Sequence, residues 1–145
     1  LKSPPSQQII RDNDAAYTTT SATLVPVDTT NLRITLQTNG GDVMVWFLGT
    51  IDASTGTVAT FDVRVDGTTL FSDGFPGGLI SHYITGNKSS VSLPPLIFSN
   101  LPAGAHYFDL MWATTGGATL RLRSDKNDAT TPNNVPVVFA AREIS

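Results

Sequence analysis

Two histidines, His82 and His106, are the only imidazoles in the chain, so any acid–base chemistry near neutral pH has to pass through one of them. Ser81, His82 and Asp109 are the residue types of a hydrolytic triad. No Ser, however, lies in the strand–elbow–helix setting that such a nucleophile requires. His106 opens an alternating run and His82 reads as a residue of an exposed strand, so both have ordinary structural readings. The oxygen-rich clusters Asp12-Asn13-Asp14 and Asp125-Lys126-Asn127-Asp128 offer the hard ligands that calcium prefers. Neither keeps the spacing of a calcium loop, and Lys126 opposes a cation; such clusters are ordinarily turns whose side chains bond their own backbone. No metal or other cofactor is expected.

Asn87-Lys88-Ser89 matches the glycosylation acceptor pattern, which also arises often by chance. Gly77-Gly78 and Gly116-Gly117 open no helix and therefore cradle no phosphate. Among the aromatic residues, Phe47, Phe61, Phe108 and Trp112 stand at core spacing. Phe75 lies within the Gly/Pro stretch Ser72–Gly78 and has no strand partner. Phe75, with His82 and Tyr83, is the candidate glycan contact, since a sugar offers one apolar ring face and a rim of hydroxyls.

The elements that would carry these residues are strands. The chain has 145 residues and no cysteine, with 20 Thr, 12 Ser, 12 Gly and 9 Pro. Only 14% of its residues are charged, against about a quarter in a typical soluble chain. Thr and Ser carry the polar load, which favours β structure over a helical bundle. A net charge of −3 with nine basic residues disfavours a nucleic-acid surface. No apolar window is long enough to predict membrane insertion. Zero cysteine excludes disulfides and thiol chemistry. The opening Leu1-Lys2-Ser3-Pro4-Pro5 reads as neither a signal peptide nor an initiator Met, and predicts a processed or trimmed chain.

Residues 1–16 read as an extended N-terminal arm, with Ile9 and Ile10 its apolar pair. From residue 17 to 145, short apolar runs are cut by Gly, Pro, Asn and Asp every eight to twelve residues, the mark of one sandwich or barrel domain. The expected strands run over residues 19–27, 32–37, 43–51, 57–66, 68–71, 79–84, 90–98, 106–113, 118–123 and 135–144. Asn39-Gly40-Gly41 and Thr114-Thr115-Gly116-Gly117 read as reversals, the first a hairpin turn. Pro94-Pro95 demands an edge position or a kink. The count is nine or ten short strands in an all-β, antiparallel two-sheet sandwich of jelly-roll type.

Val43-Met44-Val45-Trp46-Phe47-Leu48 is apolar on both faces of its strand, so both faces must be covered. Val43, Val45 and Phe47 are assigned to the core. Met44, Trp46 and Leu48 go to a subunit contact, because Trp and Met are enriched where proteins meet. Tyr107 and Met111 extend that contact if their strand shares its sheet. Ile9 and Ile10 join it if the arm is ordered by a neighbouring subunit.

Three phrases carry a resemblance: Val65-Asp66-Gly67-Thr68; Leu101-Pro102-Ala103-Gly104-Ala105-His106 leading into Leu110-Met111-Trp112; and the closing Ala141-Arg142-Glu143-Ile144. Together with the strand order they resemble the jelly-roll domains of phage tail-fibre and minor structural proteins, and the layout is similar to trimeric heads of the tumour-necrosis-factor and complement type. The resemblance implies a non-enzymatic structural or receptor-binding module of a virion or extracellular fibre. It would self-associate as a homotrimer or larger assembly and meet a cell-surface glycan or protein receptor. No collagen-like or heptad stalk precedes the domain, which leaves fibre tip, capsid decoration and filament subunit all open.

Overall fold

The computed structural model describes residues 3–11, 15–124 and 136–144. Among these, twelve strands run in chain order: β1 Ser6–Arg11, β2 Tyr17–Thr19, β3 Val25–Pro26, β4 Arg33–Thr38, β5 Gly41–Ala53, β6 Thr57–Val65, β7 Thr69–Leu70, β8 Ile80–Ile84, β9 Ser89–Leu101, β10 Gly104–Thr114, β11 Leu120–Leu122 and β12 Val137–Glu143. None of the described residues forms a helix long and apolar enough to cross a membrane. The fold is an antiparallel two-sheet sandwich, with more strands than the nine or ten expected and two of them thirteen residues long.

The pairing order identifies the wind. β1 and β2 lie along β12 and β11, β3 and β4 along β10, β5 along β9, and β6 along β7 and β8. These are nested antiparallel pairs, first strand with last and inward from there, as in one long ribbon folded on itself. Rolling the ribbon then joins β5 to β12 and β11 in one sheet, and β10 to β6 in the other. That is the jelly-roll connection. Sheet A holds β1, β2, β5, β9, β11 and β12; sheet B holds β3, β4, β6, β7, β8 and β10.

Period-two alternation decides which side chains meet between the sheets. Val43, Val45 and Phe47 from sheet A and Phe61, Phe108, Leu110 and Trp112 from sheet B are all buried. Phe47 stacks on Phe61 with centroids 5.4 Å apart, and Phe61 meets Trp112 at 6.2 Å.

Several expectations are corrected. The segment 19–27 is not one strand, because the chain leaves sheet A after β2 and enters sheet B at β3. Asn39-Gly40-Gly41 carries the chain from β4 in sheet B to β5 in sheet A, so it bridges the layers and closes no hairpin. Thr114-Thr115-Gly116-Gly117 likewise passes from sheet B to sheet A. Both use left-handed glycines, Gly40 at φ 93° and Gly116 at φ 67°. Asp66-Gly67, by contrast, is a true hairpin turn with both residues at positive φ, joining the paired β6 and β7.

The arm is held by this chain itself. β1 pairs with β12 from Ser6↔Arg142 to Arg11↔Val137. The Thr35 N–H donates to Gln7 Oε1 at 2.9 Å, and the Glu143 N–H to the Pro5 carbonyl at 3.0 Å. Ile9, opposite Phe139, packs against the core. The ordering of these residues therefore needs no neighbouring subunit, and Ile9 belongs to the core side of β1 and not to a subunit contact. Ile10 points the other way and is 56% exposed.

Candidate functional site

The outer face of sheet A is built by the residues left over from the core. In β5, the alternation that buries Val43, Val45 and Phe47 turns Met44, Trp46 and Leu48 outward. Register sets their neighbours. Leu48 lies between Val138 and Ser92, with Ile10 beyond Val138; Met44 lies between Arg142 and Ile97. Trp46 is paired with Ala140 on one side, and on the other it faces an irregularity. Phe47 pairs with Leu93 and Val45 with Leu96, so Pro94 and Pro95 together oppose Trp46 alone. This is the bulge expected of prolines on an edge strand.

The result is an apolar patch in which Ile10, Leu48 and Ile97 are exposed, while Met44, Trp46 and Val138 are half-buried. Arg142 stands at its border. The opposite end of the same face is polar, where buried Asp52 accepts from Arg121 and from Arg123, whose Nη2 lies 2.9 Å away. Ile97 escaped the sequence reading because a Pro-broken strand hides its own alternation.

Tyr107 and Met111 do not extend this patch. Their strand, β10, belongs to sheet B, and Met111 is buried. Tyr107 lies under the Arg33 guanidinium, 4.3 Å from the ring centre. Arg33 forms a two-point bridge to Asp109 (2.8 and 2.9 Å), which Arg64 joins at 3.3 Å. The bridge to the Asp109 carboxylate raises the Arg33 pKa further above its already high value.

The imagined triad is not assembled. His82 Nε2 lies 3.3 Å from Ser89 Oγ, while Asp109 is occupied by its two arginines. On β6, His82 is registered with Ala59 and Asp109 with Arg64, about 17 Å apart along the strand. His106 is engaged at both ring nitrogens, Nδ1 at 2.7 Å from Asp66 Oδ2 and Nε2 at 2.8 Å from the Pro102 carbonyl. The Asp66 bond raises its pKa above the usual value, and the Pro102 carbonyl adds to this against the opposing effect of burial. No group of three or more His, Cys, Asp or Glu able to hold a metal occurs among the described residues. The clusters at 12–14 and 125–128 lie outside those residues.

The candidate glycan residues are separated. His82 and Tyr83 alternate on β8, so Tyr83 is exposed where His82 is half-buried. Phe75, 71% exposed, overhangs a cleft on the outer side of sheet B that neither of them lines.

No family model and no curated protein sequence matches this chain. Among solved structures it is similar to a mutant VP2 protein of infectious bursal disease virus in T=1 particles, with TM-score 0.44 and 14% identity over 97% of this chain and 36% of that one. It is also similar to a structure of the Gx strain of the same virus, with TM-score 0.45 and 11% identity over the same 97% and 36%. The chain thus spans about a third of the length of these structures. Likeness of that degree carries no argument about its assembly or activity.

Proposed function

We propose that the protein is a non-enzymatic structural module of a virion or extracellular fibre, and that it works by self-association into a homotrimer or larger assembly. The observation that carries this reading is the outer face of sheet A. The inner face of β5 already fills the core, yet its outer face still shows Leu48 to solvent beside Ile10 and Ile97, with Trp46 and Met44 between them. Contiguous apolar surface of this kind marks an interaction site on a soluble domain. Among the described residues of this patch Arg142 is the one charge, at the border, so these residues offer little with which to select an oppositely charged partner. It suits a second face like itself. Jelly rolls serve as capsid and lectin domains, and this fold-level analogy supports the reading.

Native mass measurement of the chain and of Trp46→Glu is the test. The expected result is an oligomer for the parent and a folded monomer for the variant, since the new charge would be desolvated only within the contact. A monomeric parent overturns the reading. An oligomer that survives Trp46→Glu removes β5 from the contact.

A further inference from the structure

The other sheet carries a feature that self-association does not use. On the outer side of sheet B, Ala113 and Thr60 are registered partners. Being small, they leave a cleft of about 350 Å³ between the segment before β3 and the β7–β8 loop. Thr23 and Thr115 line its rim, and Phe75 stands over it. A second cleft of about 290 Å³ shares Leu70 and Gly74 with the first and is lined by Thr68, Thr69 and Asp73. The two adjoin along one loop.

That loop is anchored from beneath. Asp62 is fully buried on β6, and its carboxylate is spent on the loop and on its own strand. It accepts from the Ser72 N–H at 3.3 Å, from the Ser72 hydroxyl, and from the Val63 N–H at 2.8 Å. Gly78 N–H closes the far end on the Phe75 carbonyl at 2.9 Å. A buried carboxylate is costly unless satisfied. Here it fixes a turn whose exposed products are Phe75 and Asp73, the latter held at φ 54°.

We propose that these adjoining clefts bind a neutral oligosaccharide of at least two hexopyranose rings. The apolar face of one ring lies on Phe75, with its hydroxyls toward Thr23 and Thr115. The next ring crosses Leu70 and Gly74 and offers vicinal hydroxyls to the Asp73 carboxylate, an acceptor with two oxygens. Neutrality follows from the lining. Among the described residues no cationic side chain lines either cleft, and Asp73 would repel a sialylated or sulfated sugar. The site lies on the sheet opposite the proposed assembly face, so a copy docked on sheet A leaves it open.

The test is an amide-resolved NMR titration of the whole chain with cellobiose, maltose, lactose and N,N′-diacetylchitobiose, and with 3′-sialyllactose as the charged probe. At least one neutral disaccharide should shift the amides of residues 68–75 and 113–115 in a saturable way. Phe75→Ala should weaken that binding by about tenfold or more. Asp73→Asn should weaken it less, and Tyr83→Ala, an exposed aromatic outside the clefts, should leave it unchanged. The proposal is overturned if no neutral probe shifts these amides, if Phe75→Ala binds as the parent does, or if 3′-sialyllactose binds as well as the best neutral disaccharide. Trp46→Glu should retain sugar binding whether or not it is monomeric, so failure here and failure of the assembly reading are separate results.

Discussion

The imidazole of His106 donates from Nδ1 to the Asp66 carboxylate at 2.7 Å while its Nε2 faces the Pro102 carbonyl at 2.8 Å. A neutral imidazole has one N–H, and both of these partners are acceptors, so only the protonated ring satisfies both. The link ties the β6–β7 turn to the β9–β10 turn across β10. Asp66 is the charged group acting on the ring, and β4 opposes it with Leu36. Because the folded-state pKa is raised, the stabilisation is complete below the unfolded value near 6.5 and is lost as pH rises through the folded value. Urea unfolding of parent and His106→Gln from pH 5 to pH 9 should show a difference of about 1–2 kcal/mol at the acid end that shrinks towards the alkaline end. A difference independent of pH would mean that the ring contributes by packing alone.

Removal of residues 1–11 should destabilise the isolated chain. It takes away the strand paired with β12 from Val137 to Arg142, the Ile9 side chain, and the Gln7 link to the edge of β4. The expected loss is about 2–4 kcal/mol, comparable to deleting a buried aliphatic side chain together with its backbone partners. The urea midpoint of the truncated chain is the measurement. An unchanged midpoint would return these residues to the status of a dispensable arm.

What was legible in the sequence was local. Val43, Val45 and Phe47 against Met44, Trp46 and Leu48, and Phe108, Leu110 and Trp112 against Tyr107 and Asp109, separate by parity alone. Pro94-Pro95 announces an edge position or a kink because proline donates nothing to a ladder, and the structure makes it a bulge on the edge strand β9. Which strands share a sheet was not legible. Asn39-Gly40-Gly41 has the same turn chemistry whether it closes a hairpin or bridges two layers, and β1 finds β12 across nearly the whole chain. For the same reason parity can set Met111 beside Trp46 only on the condition that their strands share a sheet, and they do not. The polar anchors were invisible too. Nothing local marks Asp62 and Asp109 as buried; Ser72 on one, and Arg33 with Arg64 on the other, brought by long-range contacts, explain why both are.

Gly78 and Gly74 separate strain from crowding within one loop. Both have positive φ, 57° and 80°. A Cβ at Gly74 would meet nothing within 4 Å, whereas at Gly78 it would lie 2.7 Å from the Phe61 carbonyl oxygen and 2.8 Å from Thr60 Cγ2. Gly74→Ala should therefore cost about 1 kcal/mol for the left-handed backbone, and Gly78→Ala about 2–4 kcal/mol, because β6 must also give way. Paired urea curves decide it. Equal losses would show that the loop shifts freely off β6, and would remove the rigid presentation of Phe75.

Asp109 should be the most costly single polar residue to remove from sheet B. It is 1% exposed and accepts from both Arg33 and Arg64, whose side chains keep 32% and 23% of their surface in water. Asp109→Ala leaves two guanidinium groups side by side without their shared carboxylate. Breaking a buried pair costs about 3–5 kcal/mol, and the partial exposure of both arginines lets them turn to solvent, which lowers the expected loss to about 2–3 kcal/mol. Arg64→Ala removes only the weaker 3.3 Å contact and leaves the two-point Arg33 bridge intact, so it should cost about 1 kcal/mol or less. In the double variant Asp109→Ala with Arg64→Ala, part of the loss should be recovered, because one of the two stranded cations is gone. Urea unfolding of the three variants gives the coupling directly. A double variant no more stable than Asp109→Ala would mean that the arginines do not repel, and that Asp109 acts through Arg33 alone.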